Sequence, residues 1–524
     1  MSEVRKRDVP LFAPEKDRRS GVLLHPTALP GTTGIGTLGA SALDFVDLLA
    51  EAGFSRWQMC PLGPTGFGDS PYQCLSAFAG NSYLIDPDEL AGLGLLHPDE
   101  IEPSRTAPGA PVDFGALWHL RPRLLHLAAQ RFGGRKRTVE AEYGDFAAFE
   151  ERQGAWLEPY ALFRALKEHF DHAPWYEWPP EYRAYERALE QPADGLIREA
   201  VAEHKFIQYL FFAQWNRLKS YAARQGVGLI GDIPIFVALD GADAWQHPGL
   251  FQLDKDLRPA AVAGVPPDYF SETGQLWGNP LYDWKALKKT GYAWWLERFR
   301  LNFDLFDFVR IDHFRGFEAA YRIPAGAADA REGRWEKGPG FDFFRAVREA
   351  FPEPRIILED LGVITPEVAA LRERTGLPGM AILHFAFDDP ANGYLPHHLE
   401  SGTVLYPGSH DNDTTVGWFE SQPEGIRDYV RRYLRVSGDE IAWDFIRAGY
   451  ASVARLFVAP FQDLLSLGSE ARFNMPGTTE GNWTWRADPS HFDRLRAESV
   501  AYLRELSELY DRNRPTRPET PGNP

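Results

Sequence analysis

Eight short apolar segments recur along the chain, and several of them end in polar or aromatic side chains. The segments are 21–26, 56–62, 227–236, 306–314, 355–360, 380–387, 403–411 and 454–463. Nearly continuous apolar runs of this length, separated by stretches of helical period such as 41–54 and 343–351, are typical of buried parallel strands in βα units. Eight of them predict an α/β fold, a (β/α)8 TIM barrel, whose chemistry lies at the carboxyl ends of the strands.

The spacing between the predicted strands is uneven, which indicates insertions. A helix-rich insertion is predicted at about 87–200, because its apolar residues follow a helical period. A loop-rich insertion with many aromatic residues is predicted at about 238–304. We expect one catalytic barrel domain over 21–510, an N-terminal extension at 1–20, and a polar, proline-rich tail at 511–524.

The charge and the cysteine content restrict the partners of the chain. Its 74 acidic and 56 basic residues give a net charge of −18, with no long basic run, so nucleic acid is not expected as a partner. Cys60 and Cys74 are too few for a disulfide framework and fit a reducing compartment. Residues 1–20 lack the apolar core of a signal peptide, and no apolar run is long enough to span a membrane. A cytoplasmic protein with no membrane partner is therefore expected.

The stretch FVRIDHFRGFE at 308–318 begins as a strand and then carries charged residues. Residues two apart in a strand face the same way, so Arg310 and Asp312 point together. A neighbouring guanidinium favours the ionised form of an aspartate, which a nucleophile or an electrostatic stabiliser requires. A structural ion pair within the barrel accounts for this stretch equally well.

Two further strand ends carry carboxylates. Glu359 and Asp360 are adjacent, so only one of them faces the barrel mouth, and the spacing does not decide which. The seventh segment ends in GSHDNDTT, with Asp411 and Asp413. Three carboxylates at barrel strand ends suit retaining glycoside chemistry, in which the nucleophile and the acid are about 5 Å apart. A metal site is the alternative, although no HxH or HExxH pattern occurs.

The segment 264–284 combines aromatic residues with Pro, Gly, amides and carboxylates. An aromatic face beside polar groups fits a sugar ring, which has an apolar face and hydroxyls around its rim. The alternative is a loop whose aromatic residues fill its own small core. We favour binding for Trp277 and packing for Trp284.

Several long motifs together resemble the amylomaltases, the 4-α-glucanotransferases of glycoside hydrolase family 77 in the α-amylase superfamily. They include LLHPTALPG, GPTGFGDSPYQ, GDIPIFVALD, VPPDYFSETGQLWGNPLYDW, VRIDHFRGFE, EDLGVITPEV, HDNDTT and GNWTWR. The resemblance runs from about residue 21 to about 490. It implies a barrel enzyme, expected to be a monomer, that moves α-1,4-glucan segments from maltooligosaccharides, amylose, starch or glycogen to acceptor glucans, linearly or by cyclisation, without a cofactor or metal.

The resemblance also implies roles for individual residues. Asp312 would be the nucleophile, Glu359 rather than Asp360 the general acid/base, and Asp411 the transition-state stabiliser. The residues implied to bind substrate are Tyr72, Asp232, Asp268, Gln275, Trp277, Arg310, His313, His410, Asn482 and Trp483. Phe67, Ala381 and His384 depart from the family pattern, and we expect His384 to be an inward-facing residue of the sixth strand rather than a catalyst.

Three other functions remain open at this stage. An α-1,4-glucan hydrolase would use the same three carboxylates with water as acceptor. A catalytically silent glucan-binding protein would not need all three, and a metal-dependent barrel hydrolase would lose its activity in EDTA.

Overall fold

A computed structural model describes residues 11–12, 17–192, 194–267, 272–478 and 480–512. In these ranges the strands are β1 Arg19–Leu23, β2 Arg56–Gln58, β3 Gly228–Ile233, β4 Ala261–Val265, β5 Gln275–Pro280, β6 Phe308–Ile311, β7 Ala319–Pro324, β8 Arg334–Lys337, β9 Ile356–Leu358, β10 Met380–Ile382, β11 Val404–Tyr406 and β12 Leu456–Pro460. The α-helices are α1 Ala40–Glu51, α2 Pro87–Gly92, α3 Pro98–Ile101, α4 Phe114–Tyr143, α5 Phe146–His169, α6 Tyr185–Leu189, α7 Gly195–Arg224, α8 Ala242–Gln246, α9 Trp284–Lys289, α10 Ala293–Leu305, α11 Phe341–Ala350, α12 Pro366–Thr375, α13 Thr415–Ser421, α14 Glu424–Leu434, α15 Ile441–Ala451, α16 Phe461–Leu464, α17 Pro489–Glu498 and α18 Val500–Leu509.

Eight strands form a parallel barrel, as the sequence predicts. Their order is β10-β11-β12-β1-β2-β3-β6-β9, and each coincides with one of the eight apolar segments. The sheet closes between β9 and β10, where the Leu358 amide donates to the Pro378 carbonyl at 2.8 Å and Leu358 bridges Gly379. The TIM-barrel prediction is confirmed.

Alternate residues of each strand face the inside of the barrel. The inner cluster consists of Leu23, Ile230, Phe308, Ile357, Met380, Ile382, Val404, Tyr406, Leu456 and Val458. Val309, Ile311 and Leu358 instead join the large core between the strands and the helices. Because the side-chain period of a strand is two, Phe308 facing inward brings Arg310 and Asp312 inward too, and Ile357 does the same for Glu359.

Long helices occupy the connection between β2 and β3. The side chains of Asp113, Asp145 and Asp194 cap α4, α5 and α7 by accepting a hydrogen bond from a first-turn backbone amide. Helices α2 to α6 lie within the predicted insertion, whereas α7 starts there and continues to Arg224, where it leads into β3. No helix in the described ranges combines the length and the apolar composition needed to cross a bilayer.

A second, antiparallel sheet lies beside the barrel, in the order β5-β4-β7-β8. Two of its strands, β4 and β5, come from the region predicted to be loop-rich, and β7 and β8 follow β6. The sequence did not reveal this sheet, because its strands are short and two of them, β4 and β5, contain Gly. It places Gln275 and Trp277 on β5, whose pairing with β4 is irregular between Leu276 and Pro280.

The last described residue closes the bottom of the barrel. Arg512, assigned from the sequence to the polar tail, is fully buried. Its guanidinium donates to the carbonyls of Tyr450 at 2.9 Å, Gly449 at 3.0 Å and Arg19 at 2.9 Å. Two of these acceptors belong to the last turn of α15, where Gly449 also accepts from Ser452 and Tyr450 also accepts from Arg18. Burial lowers the pKa of Arg512 to about 9, which still leaves the side chain charged at neutral pH.

We therefore expect Arg512→Met to lower the free energy of unfolding by about 3 kcal/mol or more, because the variant removes one guanidinium that donates to several buried carbonyls at once. Denaturant unfolding followed by circular dichroism measures the change. Arg494→Met is the matched control, since Arg494 forms only an exposed pair with Glu498 at 3.1 Å and should change stability by less than about 1 kcal/mol. Equal shifts in the two variants would contradict the structural role of Arg512.

Candidate active site

The polar groups of the barrel mouth centre on Arg310, which lies inside the barrel next to β3. Arg310 and Asp232 are register partners on β6 and β3, and Arg310 Nη1 donates to Asp232 Oδ2 at 2.6 Å. Arg310 Nη2 donates to Asp312 Oδ1 at 3.0 Å. The side chain of Arg310 is only 4% exposed, that of Asp232 1% and that of Asp312 27%. Arg310 therefore joins a buried carboxylate to one that reaches the mouth.

Burial opposes the charge of Arg310, but the two aspartates outweigh it and raise the pKa of the guanidinium. Burial also disfavours the charged form of Asp232 and so raises the pKa of its carboxyl, and the positive charge of Arg310 opposes that shift. A buried arginine that keeps its proton at every physiological pH supplies a fixed positive charge to both carboxylates.

Tyr72 joins this cluster from the loop that follows β2. Its hydroxyl lies 2.7 Å from Asp232 Oδ2 and 2.8 Å from His410 Nε2, and the Tyr72 and His410 rings stack at 5.3 Å. With Asp232 ionised, Tyr72 donates to the carboxylate and accepts from Nε2 of His410, which fixes the protonated nitrogen of that ring. The structure thus brings together four predicted residues: Tyr72, Asp232, Arg310 and His410.

Glu359 follows β9 and faces the mouth beside Asp312. The backbone amides of His313 and Leu361 each donate to one of its carboxylate oxygens at 2.7 Å. Burial is the main cause that raises the pKa of Glu359 to about 8, and the negative charge of Asp312 adds to it, against Arg310 and the two backbone donors. Glu359 is therefore mostly protonated at neutral pH, as a general acid must be.

Asp360 faces the opposite side of the strand. It is 5% exposed and accepts from Arg372 Nη1 and the Met380 amide, both at 2.8 Å. These contacts tie β9 to α12 and to β10. The strand spacing alone did not show which of Glu359 and Asp360 faces the mouth. Because Ile357 faces inward, the residue two positions later, Glu359, does so as well.

His313 adopts a strained backbone conformation next to these carboxylates. Its φ of 48° lies in the left-handed region, which a residue with a side chain seldom occupies. This conformation turns the His313 amide toward Glu359 and the imidazole toward Trp277, whose ring centroid is 4.9 Å away. Burial lowers the pKa of His313 to about 4, so the imidazole is neutral at physiological pH.

Asp411 lies in the loop after β11, and its side chain is 43% exposed. Asn474 Nδ2 donates to Asp411 Oδ1 at 2.5 Å, and Arg472 Nη2 donates to the Asp411 carbonyl at 2.8 Å. The neighbouring Asp413 accepts from the Thr414 amide and from Ser469 Oγ, so it joins its loop to the segment that follows α16. These hydrogen bonds hold Asp411 in place, and part of its carboxylate remains exposed to solvent.

Trp277 and Gln275 extend from β5 toward the mouth. Trp277 Nε1 donates to Gln275 Oε1 at 3.1 Å, and Trp277 is partly exposed. Gln73, next to Tyr72, donates to the Trp277 carbonyl at 3.3 Å and to Asn279 Oδ1 at 3.0 Å. The Tyr72 loop and the second sheet are therefore connected. Asp268 lies outside the described residues.

Asn482 and Trp483 differ in their relation to the centre. Trp483 is buried, with its ring 6.0 Å from Tyr72 and 6.1 Å from His410. Asn482 accepts from the Met475 amide and donates to the Thr478 carbonyl, so its amide is engaged within its own loop. Trp483 supports the cluster, whereas Asn482 shapes the loop that carries Asn474.

Two residues of this site were not singled out from the sequence, although Gln73 lies in one of the motifs noted there. Asn474 holds Asp411, and Gln73 links two loops. An amide side chain in a loop belongs to no sequence pattern from which either of these contacts could be predicted. His384 is buried, stacks on Trp418 at 4.7 Å and contacts Thr415 Oγ1 at 3.0 Å, so it packs behind the site.

The mouth therefore holds a carboxylate paired with an arginine, a protonated carboxylic acid and a third, open carboxylate. An ionised nucleophile and a protonated acid are the two groups that retaining glycoside chemistry needs. Among the described residues, no group of three or more His, Cys, Asp or Glu side chains is arranged to hold a metal ion.

Comparison with known proteins agrees with this chemistry. A family model described as 4-alpha-glucanotransferase matches residues 24–491. The chain is 49% identical over 510 residues to a 4-alpha-glucanotransferase of Thermus thermophilus, covering 95% of this chain and all of that protein. It is 47% identical to the Synechocystis protein of the same name, covering 94% of this chain and 98% of that one. The structure of amylomaltase from Streptococcus agalactiae in complex with acarbose has a TM-score of 0.89 and 38% identity, covering 95% of this chain and all of that one.

We expect Glu359 to titrate near pH 8, because burial and Asp312 disfavour its charged form. Difference infrared spectroscopy against Glu359→Gln would assign the carboxyl band that disappears as the pH rises. In Asp312→Asn the midpoint should fall, since one of the charges that raise the pKa is removed. Asp360→Asn is the control and should leave the midpoint unchanged. A midpoint below pH 6 in the unmodified protein would contradict the assignment.

Proposed function

The chain belongs to the 4-α-glucanotransferase family, glycoside hydrolase family 77, and on that premise we propose that Asp312, Glu359 and Asp411 carry out its transfer reaction by a retaining double displacement. The protein is a 4-α-glucanotransferase. The roles of the three residues and the identity of the substrate are inferred. The observation that carries it is the pair of neighbouring carboxyl groups, Asp312 held against Arg310 and Glu359 with a pKa of about 8.

In the first displacement, an oxygen of the Asp312 carboxylate bonds to the anomeric carbon while the glycosidic C–O bond breaks. Glu359 gives its proton to the departing oxygen, and the shortened glucan leaves with a free 4-hydroxyl. Arg310 supports the attack because its guanidinium donates a hydrogen bond to the Asp312 carboxylate and holds it at the mouth. The product is a covalent glucosyl-enzyme and an ionised Glu359.

In the second displacement, ionised Glu359 removes the proton from the 4-hydroxyl of an acceptor glucan. That oxygen bonds to the anomeric carbon, and the bond to Asp312 breaks. Glu359 is then protonated again and Asp312 is again a carboxylate, so the cycle returns to its start. Two inversions at one carbon retain the α configuration.

Asp411 acts on the sugar during both steps. Its open carboxylate accepts hydrogen bonds from ring hydroxyls, and its negative charge stabilises the positive charge that develops at the anomeric centre. Asn474 fixes the position of this carboxylate. His410, held by Tyr72, and neutral His313 supply further polar contacts on either side.

The substrates we propose are α-1,4-glucans, namely maltooligosaccharides and the longer chains of starch or glycogen. Trp277 and Tyr72 offer ring faces to neutral sugars, and the net charge of −18 disfavours anionic substrates. Transfer rather than hydrolysis requires that water be kept from the glucosyl-enzyme, and Trp277 beside His313 is placed to do so. A monomeric, cytoplasmic enzyme is part of the proposal, and the two unpaired cysteines fit that setting.

The two central roles need opposite protonation states, and variants can separate them. Glu359→Gln should lose about 10²–10⁴-fold in rate on maltotriose, yet it should form a glucosyl-enzyme from α-glucosyl fluoride, whose leaving group needs no proton. Asp312→Asn should form none from either donor. Mass spectrometry of the intact protein measures the adduct, with Asp360→Asn as the control that keeps both activities. An adduct on Asp312→Asn but none on Glu359→Gln would reverse the assignment.

Trp277 on β5 should affect whether water or an acceptor glucan attacks the glucosyl-enzyme more than it affects how fast the glucosyl-enzyme forms. With maltotriose as sole substrate, the unmodified enzyme should release glucose and build longer maltooligosaccharides. Trp277→Ala should raise the ratio of hydrolysis to transfer, because its side chain no longer excludes water. Chromatography of the products and a reducing-end assay measure that ratio. Trp277→Phe should restore most of the transfer, and an unchanged ratio in a folded Trp277→Ala protein would refute the role.

A further inference from the structure

Trp335 on β8 is a large aromatic residue with an exposed ring, and neither the core nor the proposed mechanism uses it. Its side chain is 38% exposed, in contrast to the many tryptophans buried in the helical shell. It pairs with Tyr321 across β7 and β8, and the two rings meet edge to face at 5.1 Å. Because Tyr321 is buried, the sheet holds the Trp335 ring in a fixed orientation.

Arg315 covers one face of this ring. Its guanidinium carbon lies 3.6 Å from the ring centroid, and the residue itself is 5% exposed. A guanidinium held over the face of an indole at this distance restricts the movement of the ring. The exposed area of Trp335 is therefore on its remaining face and edge.

The same arginine ties the ring to the catalytic centre. Arg315 is three residues after Asp312, so their Cα atoms are at most about 11 Å apart. Its Nη1 donates to the carbonyl of Val363, in the loop that follows Glu359. In that loop Val363 is 56% and Ile364 37% exposed. We name the group Trp335, Val363 and Ile364 the rim platform.

We propose that the rim platform is a glucan subsite, in which the free face of Trp335 stacks on a glucosyl unit several positions from the bond that is cleaved. The inference rests on the proposed function, because the occupant is the glucan chain that leaves the mouth between Asp312 and Glu359. A glucose ring presents an apolar C–H face, which a flat indole matches, and it needs no charge on the platform. Three side chains are too few for a protein interface, which covers about 800 Å² per partner.

Donors of different length can distinguish an effect on this subsite from an effect on the catalytic centre. Trp335→Ala should raise the KM for maltoheptaose about 3- to 10-fold, as expected for one aromatic contact, with kcat nearly unchanged. The KM for maltotriose should change by less than about 2-fold, since a short donor ends before the platform. Trp335→Phe should restore most of the maltoheptaose KM, whereas Trp335→Leu, which still covers Arg315, should not. Tyr502→Ala is the matched control, because Tyr502 is also 38% exposed but lies on α18.

The results expected for the Trp335 variants can be told apart from a failure of the proposed catalytic mechanism. Equal changes of KM for the two donors, no change for either, or full rescue by Trp335→Leu would each overturn the subsite and leave Trp335 as a cover for Arg315. An active Asp312→Asn protein would instead refute the proposed nucleophile. The KM ratio of the Trp335 variants does not depend on that result, so it still tests the platform.

Discussion

The ion pairs of the buried Arg310 guanidinium are the interaction on which the proposed catalytic centre depends. Burying one charge without a partner costs several kcal/mol, and removing one member of a buried pair typically costs about 3–5 kcal/mol. Here a single arginine contacts Asp232 at 2.6 Å and Asp312 at 3.0 Å, so it stabilises one carboxylate inside the barrel and one at its mouth. Because it is fixed by β3 and β6 at once, the position of Asp312 is set by the backbone of the barrel rather than by a loop.

The remaining groups are arranged around that charge. Glu359 lies close enough to feel the negative charge of Asp312, and burial with this charge outweighs two backbone donors and Arg310 to keep it protonated. The left-handed backbone of His313 supplies one of those donors. Such strain persists only where the surrounding structure holds it. Here it orients Glu359 without lowering its pKa to the range of an exposed glutamate.

The segments between the barrel strands build the walls of the site and leave the barrel itself regular. The Tyr72 loop, which precedes the helical insertion, and β5 of the second sheet meet through Gln73. The second sheet also carries Trp335 on its other edge strand, so one small sheet holds both the tryptophan beside His313 and the tryptophan beside Arg315. A barrel strand could not do this, because its side chains either fill the interior or pack against helices.

The sequence by itself determined the barrel, because eight nearly continuous apolar runs can be buried only as parallel strands covered on both faces. It also determined that Arg310 and Asp312 point together, since the period of a strand is two. The motifs named the three carboxylates, although their roles remain a proposal. The strand period alone did not decide between Glu359 and Asp360, although the resemblance implied Glu359; the tertiary structure shows that Glu359 faces the mouth, because Ile357, two residues earlier, lies inside the barrel. It also decided the second sheet, the partner Asn474 and the buried Arg512, all of which depend on contacts between residues far apart in the chain. Local patterns report the period and the propensity of a segment, whereas which side chains meet across such distances is fixed only when the chain packs.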